Sequence, residues 1–331
     1  MLGQQFEREI REQPNVWCGI AQSDKAERLA RAIGERPVLL VGSGSSLFMG
    51  QLGALALRRR GIRAVALAAT EAHFDHVAYR DACIIALSQS GRSIDLLAAL
   101  DILMPSTLIA LTNDANSPLA ARATHVIALD AGPEKAVPAS KSVTAMAAIL
   151  LWGAACVAGN STRSAQTLVQ TATDVRDWLD GSNAEPVVAA AQRIARRRSV
   201  IIVGAGYGVP IAGELALKLK EASYVHAEGF AAGEFRHGSS AVLDASCAIV
   251  GIVDDASRAF VERPLTAARD AEAARFVIGS PVGDLPLLGA RTGDAFNTLA
   301  WLVAGQYLAL WTGRARSVES DAPRGLSKVL L

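Results

Sequence analysis

The stretch SVIIVGAGYGVPIAGELALKLKEAS, residues 199–223, aligns without a gap with PVLLVGSGSSLFMGQLGALALRRRG, residues 37–61. In each segment, a run of β-branched residues and leucine predicts a buried strand, a Gly-x-Gly predicts a sharp turn, and an Ala- and Leu-rich stretch predicts a helix. The offset of 162 residues therefore indicates two copies of one structural unit.

Six further stretches of the chain predict strands. They alternate with helical patterns, and this alternation is typical of parallel sheets that carry helices on both faces. We therefore expect an α/β fold with two doubly wound, flavodoxin-like subdomains. The predicted strands cover residues 64–68, 82–87, 106–111, 125–129, 247–252 and 274–278.

A polar segment separates the two repeats. Residues 160–186 predict one polar-faced helix that ends at a cluster of helix-breaking residues, Gly181, Ser182, Asn183 and Pro186. We expect this helix to connect the two subdomains. The predicted organisation is an N-terminal helical segment (1–24), a first subdomain (25–160), the connecting helix (161–186), a second subdomain (187–315) and a C-terminal tail (316–331).

The composition of the chain disfavours several kinds of partner. Lys and Arg total 33 and Asp and Glu total 32, so no overall charge favours nucleic acid or a membrane surface. The four cysteines form no Cys-x-x-Cys pair, which disfavours a zinc site and a disulfide framework. The N-terminal residues are charged and lack the apolar core of a signal peptide, and we expect a cytoplasmic protein.

Two stretches, residues 143–159 and 295–313, are apolar enough to raise the question of a membrane-spanning helix. The first is shorter than the ~20 residues that span a bilayer. The second contains Asn297, Thr298 and Gln306. We therefore predict buried or interfacial helices and no membrane segment.

Neither a dinucleotide cofactor nor a metal ion is expected. The dinucleotide-binding motif is Gly-x-Gly-x-x-Gly, and Leu47 and Val209 occupy the position of its third glycine in the two repeats. Residues 71–81 carry histidine and acidic side chains, but their spacing is too loose to predict a metal site. We therefore predict no cofactor.

The stretch ALSQSGRSIDLLAAL, residues 86–100, predicts a strand that runs into a hydroxyl-rich turn and then into a helix. Ser88, Ser90 and Ser93, with the free N–H groups of a helix start, would make an anion-binding turn of monophosphate size. The alternative is that Ser93 only caps the helix. Three serines after the first strand are expected in the same crevice, at the carboxyl ends of the strands: Ser43, Ser45 and Ser46.

Glu214, Lys218 and Glu221 fall at positions i, i+4 and i+7 of the predicted helix in the second repeat, and therefore on one face. One interpretation is a solvent-exposed stripe with a weak Glu–Lys pair. The first repeat, however, has Leu52 and Ala56 at the positions that match Glu214 and Lys218. We therefore favour a functional role for the charged face of the second copy.

The residues that follow this helix, HAEGFAAGEFRHG (226–238), predict a Gly- and Ala-rich loop that carries Glu228, Glu234 and His237. A lysine, a carboxylate and a histidine beside a phosphate site suit proton transfer next to a carbonyl group. This chemistry is the enolisation of a sugar phosphate.

Five motifs give the chain a resemblance to a known family. They are VGSGSS (41–46), LSQSG (87–91), ALKLKEASYVHAE (216–228), AAGEFRHG (231–238) and DAPRGLSK (321–328). From about residue 25 onwards the chain resembles the SIS (sugar isomerase) family, and closely the isomerase half of glucosamine-6-phosphate synthase. The resemblance implies two SIS subdomains, each with a five-stranded parallel sheet between helices, and a homodimer that binds a sugar phosphate.

The resemblance also implies roles for individual residues. Glu221 resembles the base that moves a proton between C1 and C2, Lys218 its neighbour at the C2 oxygen, and Glu214 a supporting glutamate. His237 resembles the ring-opening histidine, which in that family comes from the partner subunit. Lys328 resembles the tail lysine that folds over the open-chain sugar. The implied phosphate- and sugar-binding residues are Ser43, Ser45, Ser88, Gln89, Ser90, Ser93, Val137 and Ala139.

The chain departs from the synthase at two positions. Arg92 stands where the synthase has an acidic residue, and Ala139 stands where it has a serine that touches sugar hydroxyls. These differences leave the identity of the sugar open. No Cys follows Met1 and no glutaminase domain is recognised, so we do not expect the glutamine-dependent synthase.

We expect a phosphosugar isomerase or deaminase, and we favour the conversion of glucosamine 6-phosphate to fructose 6-phosphate and ammonia. The alternatives among enzymes are an aldose/ketose sugar-phosphate isomerase and a fructosamine-phosphate deglycase. The alternative of another class is a non-catalytic sugar-phosphate sensor. A sensor needs the phosphate site but does not need Glu221, Lys218 and His237 together.

Overall fold

The computed structural model describes residues 1–181, 185–279 and 295–328. The chain forms two compact units, each built around one parallel β-sheet. The five-strand unit consists of Asn15–Glu134, Lys141–Gln170 and Ser327–Leu331. The four-strand unit consists of Met1–Pro14, Lys135–Ser140 and Thr171–Leu326.

The first half of the chain supplies the sheet of the five-strand unit. Its strands are β1 (Val38–Gly42), β2 (Ala64–Ala68), β3 (Cys83–Ser88), β4 (Leu108–Thr112) and β5 (His125–Ala128). They lie in the order β2-β1-β3-β4-β5, and every neighbouring pair is parallel. The helices up to the second repeat are α1 (Gln4–Ala21), α2 (Lys25–Ile33), α3 (Ser45–Arg58), α4 (Ala69–Asp75), α5 (Ile94–Leu103), α6 (Pro118–Arg122), α7 (Lys141–Val157) and α8 (Ser161–Asp180), with a 3₁₀ turn at His76–Tyr79.

Burial explains the composition of these strands. Every residue of β1, β3 and β4 is buried, because these strands are central and carry helices on both faces. A strand of this kind needs apolar side chains at consecutive positions instead of alternating ones. On one face, Val41, Ile84 and Ala110 belong to the same core cluster as Leu96 of α5.

Helix α7 is buried along almost its whole length. Gly153 permits close packing against α2, because a Cβ at this position would lie 2.7 Å from Leu29 Cδ2. Trp17 Nε1 donates a hydrogen bond to Thr144 Oγ1 at 3.0 Å, so the polar groups between these helices are paired. The first apolar stretch is therefore a core helix, as its sequence predicts.

The second half of the chain supplies the sheet of the four-strand unit. Its strands are β6 (Ser199–Gly204), β7 (His226–Ala231), β8 (Cys247–Ile252) and β9 (Ala274–Ile278). They are parallel and lie in the order β7-β6-β8-β9. The helices are α9 (Glu185–Ile194), α10 (Gly208–Ser223), α11 (Ala232–Phe235), α12 (Arg258–Asp270) and α13 (Asn297–Ala315), with a 3₁₀ turn at Ser239–Val242.

The two sheets confirm the α/β class and differ from expectation in strand number. Five strands were expected in each sheet, and the second sheet has four among the described residues. Residues 280–294, between β9 and α13, lie outside the described residues. The predicted connecting helix corresponds to α8, which ends at Asp180. Ser182 and Asn183 also lie outside the described residues, and the domain boundaries stay a prediction.

Strand β7 corrects the predicted loop at 226–238. Residues 226–231 form the edge strand of the second sheet, and residues 232–235 form the short helix α11. The glycine and alanine content concealed this strand, since neither residue favours a strand. The internal repeat contains the missing signal, because β2 begins at Ala64 and β7 begins 162 residues later at His226.

Helix α13 packs against α10 inside the four-strand unit. Gly305 makes the contact possible, because a Cβ there would lie 2.2 Å from Leu215 Cγ. Gln306 is buried, and its Oε1 accepts a hydrogen bond from Gln13 Nε2 at 2.7 Å. The second apolar stretch therefore forms a core helix. Among the described residues, no helix combines the length and the apolar composition needed to cross a membrane.

Asp321 connects the tail to the start of α1 within the four-strand unit. Its carboxylate accepts hydrogen bonds from the backbone N–H groups of Gln5 (2.9 Å) and Phe6 (2.8 Å). These groups have no partner inside the helix, and negative charge is favourable at this end of the helix dipole. The backbone oxygen of Asp321 accepts from Val137 N at 3.0 Å. One residue thus holds three segments together.

The contact of Gly305 with Leu215 generates a stability prediction. We expect Gly305→Ala to lower the free energy of unfolding by about 1–3 kcal/mol, because the added methyl group overpacks the helix contact. Urea unfolding followed by circular dichroism measures this change. The matched control is Gly19→Ala in α1, where a Cβ meets nothing within 4 Å. This control should be neutral or stabilising by up to about 1 kcal/mol. Equal destabilisation by both variants would contradict the close packing of α13 against α10 at Gly305.

Candidate active site

Two predicted phosphate-site serines lie at one edge of the first sheet. Strands β1 and β3 are parallel neighbours, and Val41 pairs with Ala86. Ser43 and Ser88 each follow two residues later, so both lie at the carboxyl end of the sheet. Ser45 begins α3, whose first turn starts directly after β1. This edge is where ligands bind in open α/β sheets.

The SQSG turn after β3 is held by its own serines. Ser88 Oγ accepts a hydrogen bond from Gly91 N at 3.0 Å, and Ser90 Oγ accepts one from Arg92 N at 3.2 Å. Gly91 has a φ of +62°, and a Cβ there would lie 2.1 Å from Ser117 Oγ. The turn therefore requires glycine at position 91, both for its conformation and for lack of space.

Ser93 and Gln89 present side chains that are not used inside the turn. Ser93 is the N-cap residue of α5, but its side chain makes no capping hydrogen bond, so its hydroxyl does not cap the helix. The backbone oxygen of Gln89 accepts hydrogen bonds from Asn113 N (3.0 Å) and Thr112 Oγ1 (3.3 Å). Both side chains are half-buried. Their polar atoms are therefore available to a ligand at the start of α5.

Arg92, the first departure from the synthase pattern, pairs with Asp114. Arg92 Nη2 lies 2.9 Å from Asp114 Oδ2, and both side chains are partly exposed. The pKa of Asp114 is lowered, first by the hydrogen bond from Asn116 N and then by the hydrogen bond from Arg92. The carboxylate therefore stays ionised at neutral pH and keeps its attraction for the guanidinium group.

Three charged residues of α10 meet in the four-strand unit. The side chains of Glu214 and Lys218 are 0 % and 1 % exposed, and Lys218 Nζ lies 3.6 Å from Glu214 Oε1. Lys218 also donates a hydrogen bond to Glu221 Oε2, and the Glu221 side chain is 18 % exposed. The predicted i, i+4, i+7 face is therefore a buried ion-paired cluster that opens to the surface at Glu221.

This burial decides between the two interpretations of the face. A solvent-exposed stripe is wrong, because a lysine and a glutamate are fully enclosed. At the matching positions of α3, Leu52 and Ala56 are buried as apolar residues. The second copy of the repeat thus keeps a buried helix face and places charges on it. Because buried charges are costly unless they are paired, such a cluster is typical of a functional site.

His237 and the 137–139 segment belong to the same unit as the cluster of α10. His237 follows α11 and is exposed, with its backbone N–H donating to Glu234 O at 2.9 Å. The structure gives its imidazole no hydrogen bond to a described residue. Val137 and Ala139 are half-buried, in the segment held by Asp321. The structure thus brings Glu214, Lys218 and Glu221 together and leaves His237 apart from their ion pairs.

Lys328 lies in the five-strand unit and reveals two residues that the sequence analysis missed. Its Nζ lies 3.0 Å from Glu134 Oε2, and the Glu134 side chain is completely buried. Glu134 is also held by Ser142, through its backbone N–H at 3.1 Å and its hydroxyl at 2.7 Å. Glu134 and Ser142 flank the PASK stretch that contains Ala139. Their closeness in sequence to a predicted site residue is the signal that could have identified them.

The stretch of histidine and acidic residues at 71–81 includes His73, whose side chain lies outside the described part of the structure. These residues form α4 and the following 3₁₀ turn. Burial first, and then Asp75, raise the pKa of Tyr79, so Asp75 interacts with this phenol. Among the side chains that the structure describes, which leave out that of His73, no group of three or more His, Cys, Asp or Glu is arranged to hold a metal ion.

Curated relatives are similar to this chain in sequence. Glutamine–fructose-6-phosphate aminotransferase [isomerizing] of Lactiplantibacillus plantarum is 31% identical over 97% of this chain and 57% of its own length. The chain spans about half the length of the curated relatives it matches.

Two solved structures have the same fold at low sequence identity. Glucosamine-6-phosphate deaminase of Thermotoga maritima superposes with a TM-score of 0.84 at 21% identity, covering 99% of each chain. Tagatose-6-phosphate ketose/aldose isomerase of Escherichia coli superposes with a TM-score of 0.81 at 21% identity, covering 98% of this chain and 96% of its own.

A family match agrees with the two-unit architecture. The SIS domain matches residues 33–154, which contain the sheet of the five-strand unit, and residues 193–263, which contain β6 to β8 of the four-strand unit. These two segments amount to more than half of the 331 residues. The chain therefore belongs to the SIS domain family.

Proposed function

We propose that the chain is an SIS-family phosphosugar deaminase that converts glucosamine 6-phosphate and water to fructose 6-phosphate and ammonia. The observation that carries this proposal is the buried cluster of α10, in which Lys218 pairs with Glu214 and with the partly exposed Glu221. The similarity of fold to a glucosamine-6-phosphate deaminase supports the choice of reaction.

In this proposal the edge of the first sheet holds the phosphate. Ser93 and Gln89 offer side-chain donors, and the first N–H groups of α5 lack partners within the helix. A helix start of this kind favours an anion through its N–H groups and its dipole. Ser43, Ser88 and Ser90 line the same edge. The phosphate gives the enzyme binding energy at a group that does not react.

The proton transfers begin with ring opening. His237 delivers a proton to the ring oxygen and takes the proton of the C1 hydroxyl, the bond between C1 and the ring oxygen breaks, and the open-chain aldose forms. Glu221 then takes the proton from C2, the electrons of the C–H bond form a C1–C2 double bond, and the C1 carbonyl oxygen takes a proton from water and becomes a hydroxyl. The same carboxyl group returns the proton to C1. A single carboxylate serves both carbons because they are adjacent.

Lys218 is assigned an electrostatic role in these steps. Its ammonium is fixed beside Glu221 and stabilises the negative charge that develops near C1 and C2. Glu214 holds the opposite side of the ammonium and keeps the lysine aligned along the helix. After C1 is protonated, the substrate is an imine at C2. Water adds to this carbon, the C–N bond breaks, and ammonia leaves with the formation of the ketose.

The exposed position of His237 is consistent with an assembly in which it serves a second copy of the chain. Its imidazole is accessible and is not engaged by described residues of its own chain. We therefore propose a homodimer in which each copy supplies this histidine to the other. Size-exclusion chromatography with light scattering tests for the dimer.

An aldose/ketose isomerase is the second candidate function. The similarity of fold to a tagatose-6-phosphate ketose/aldose isomerase favours it. It uses the same ring opening and the same proton transfer, and it differs only in having oxygen instead of nitrogen at C2. Ala139 lacks the hydroxyl with which the synthase serine touches the sugar, so this position does not identify the substrate. The experiment that does so measures ammonia and ketose phosphate formed from several amino and neutral sugar phosphates.

The role of Glu221 generates a catalytic prediction. We expect Glu221→Gln to reduce ammonia release from glucosamine 6-phosphate by about 10²–10⁴-fold, because the amide cannot accept the C2 proton. Binding of the sugar phosphate, measured by isothermal titration calorimetry, should change by less than about threefold. The matched control is Lys220→Gln, an exposed residue of the same helix, which should keep full activity.

The outcome separates an enzyme from a sensor. Full activity in Glu221→Gln would contradict the assigned base. Wild-type binding without turnover of any tested sugar phosphate would favour the non-catalytic sensor. Turnover without ammonia release, from neutral sugar phosphates alone, would favour the isomerase.

The uncapped Ser93 hydroxyl generates a binding prediction. We expect Ser93→Ala to weaken binding of glucosamine 6-phosphate by about tenfold, the effect of losing one hydrogen bond to a charged group. The thermal midpoint should stay unchanged, because Ser93 makes no capping hydrogen bond. Ser106→Ala, at an exposed position before β4, is the control. A loss of stability without a loss of affinity would show that Ser93 is structural.

A further inference from the structure

A buried carboxylate that the proposed reaction does not use lies at the start of α7. Glu134 has a completely buried side chain. The backbone N–H of Ser142 donates to its Oε1 at 3.1 Å, and the hydroxyl of Ser142 donates to its Oε2 at 2.7 Å. Ser142 is the second residue of α7, and negative charge is favourable at the N-terminus of a helix. The five-strand unit thus holds the carboxylate in a fixed position.

The segment that carries this carboxylate is itself held in place. Lys141 begins α7, is 2 % exposed, and donates a hydrogen bond from Nζ to the backbone oxygen of Pro133 at 2.9 Å. Asn113 Nδ2 donates to the backbone oxygen of Gly132 at 2.9 Å. The backbone before Glu134 is therefore fixed at two consecutive residues, and the carboxylate has little freedom to move.

Lys328 is the group that approaches this carboxylate from the tail. Its Nζ lies 3.0 Å from Glu134 Oε2, and its side chain is 21 % exposed. A charge-assisted hydrogen bond to a buried carboxylate is stronger than an exposed ion pair, because water does not compete for the acceptor. The lysine is the less enclosed partner of the two, since its side chain is partly exposed and that of Glu134 is completely buried.

We propose that Glu134 is a positioning residue for Lys328. Its buried carboxylate draws the ammonium of Lys328 onto the start of α7 and so determines where the tail lies. The role of the positioned tail rests on the proposed function together with the family resemblance, which implies that Lys328 folds over the open-chain sugar. The ion pair itself does not depend on that function and has its own test.

Glu134→Gln is the substitution that isolates the charge. The glutamine amide has nearly the same shape, and its oxygen still accepts a hydrogen bond from Ser142. Its NH₂ group cannot accept a hydrogen bond from an ammonium group. We expect the fraction of molecules with a released tail to rise about tenfold, which corresponds to the loss of one hydrogen bond between charged groups.

Limited proteolysis with endoproteinase Lys-C measures the released fraction without any substrate. This protease cleaves after lysine and must take the Lys328 side chain into its own pocket. Cleavage removes Val329, Leu330 and Leu331, which mass spectrometry of the intact protein detects. Because the cleavage rate follows the population of the open form when reclosure is fast, Glu134→Gln should lose these three residues about tenfold faster than the wild type.

The control is Glu35→Gln, an exposed glutamate of the same unit, which should be cleaved at the wild-type rate. Equal cleavage of Glu134→Gln and wild type would overturn the proposal. Circular dichroism and the thermal midpoint show whether a faster loss comes from tail release or from general unfolding. Cleavage at many lysines at once would identify unfolding. In that case the role of Glu134 is tested by kcat/KM measurements that include Lys328→Met.

A double-mutant cycle shows whether Glu134 acts through Lys328. We expect Glu134→Gln and Lys328→Met each to lower kcat/KM about tenfold for the sugar phosphate that the enzyme turns over. The double variant should be no worse than Lys328→Met alone. Multiplication of the two losses would show that Glu134 has a separate structural effect and would overturn its role as a positioning residue.

The two experiments separate the failure of this inference from the failure of the proposed function. Faster Lys-C cleavage in Glu134→Gln with no turnover of any sugar phosphate would sustain the positioning of Lys328 and remove the proposed reaction. Normal cleavage in an active enzyme would leave the reaction in place and remove the positioning role.

Discussion

The candidate site depends on how the charge of one buried lysine is compensated. Lys218 is 1 % exposed, and an ammonium in such a place is costly unless opposite charges surround it. Helix α10 provides these charges from its own sequence, with Glu214 one turn before the lysine and Glu221 one turn after it. The spacing of a single helix therefore both allows the burial and aligns the three groups. Glu221 is the member of the cluster that solvent reaches, and so the member that a substrate can reach.

The two copies of the internal repeat share one backbone plan and differ in where their polar groups lie. In both copies a buried strand runs through a glycine turn into a helix, because a parallel sheet covered by helices needs this connection. The first copy keeps Leu52 and Ala56 on the buried face of α3, and its polar groups lie in the serine turns at the strand ends. The second copy carries its charges on the helix. A shared backbone plan thus carries serine-rich turns in one copy and a buried charged helix face in the other.

Carboxylates at helix starts organise the tail in each unit. Asp321 accepts from the first N–H groups of α1 in the four-strand unit, and Glu134 accepts from Ser142 at the start of α7 in the five-strand unit. The helix dipole favours both anions. The two differ in what they hold, since Asp321 fixes the backbone through Val137 and Glu134 fixes the side chain of Lys328. A carboxylate that accepts hydrogen bonds at the start of a helix thereby connects residues that are distant in sequence.

The sequence by itself determined the α/β class, the repeat, the central strands and the common face of Glu214, Lys218 and Glu221, because these features depend on local periodicity and residue spacing. It did not reveal β7, whose glycine and alanine residues carry little strand preference, although the repeat pointed to it. Nor did spacing alone decide whether the charged face was buried, since an exposed helix shows the same pattern. Only the tertiary structure decided that, and only it brought Lys328 to Glu134, 194 residues away, because burial and long-range pairing depend on what packs against a segment.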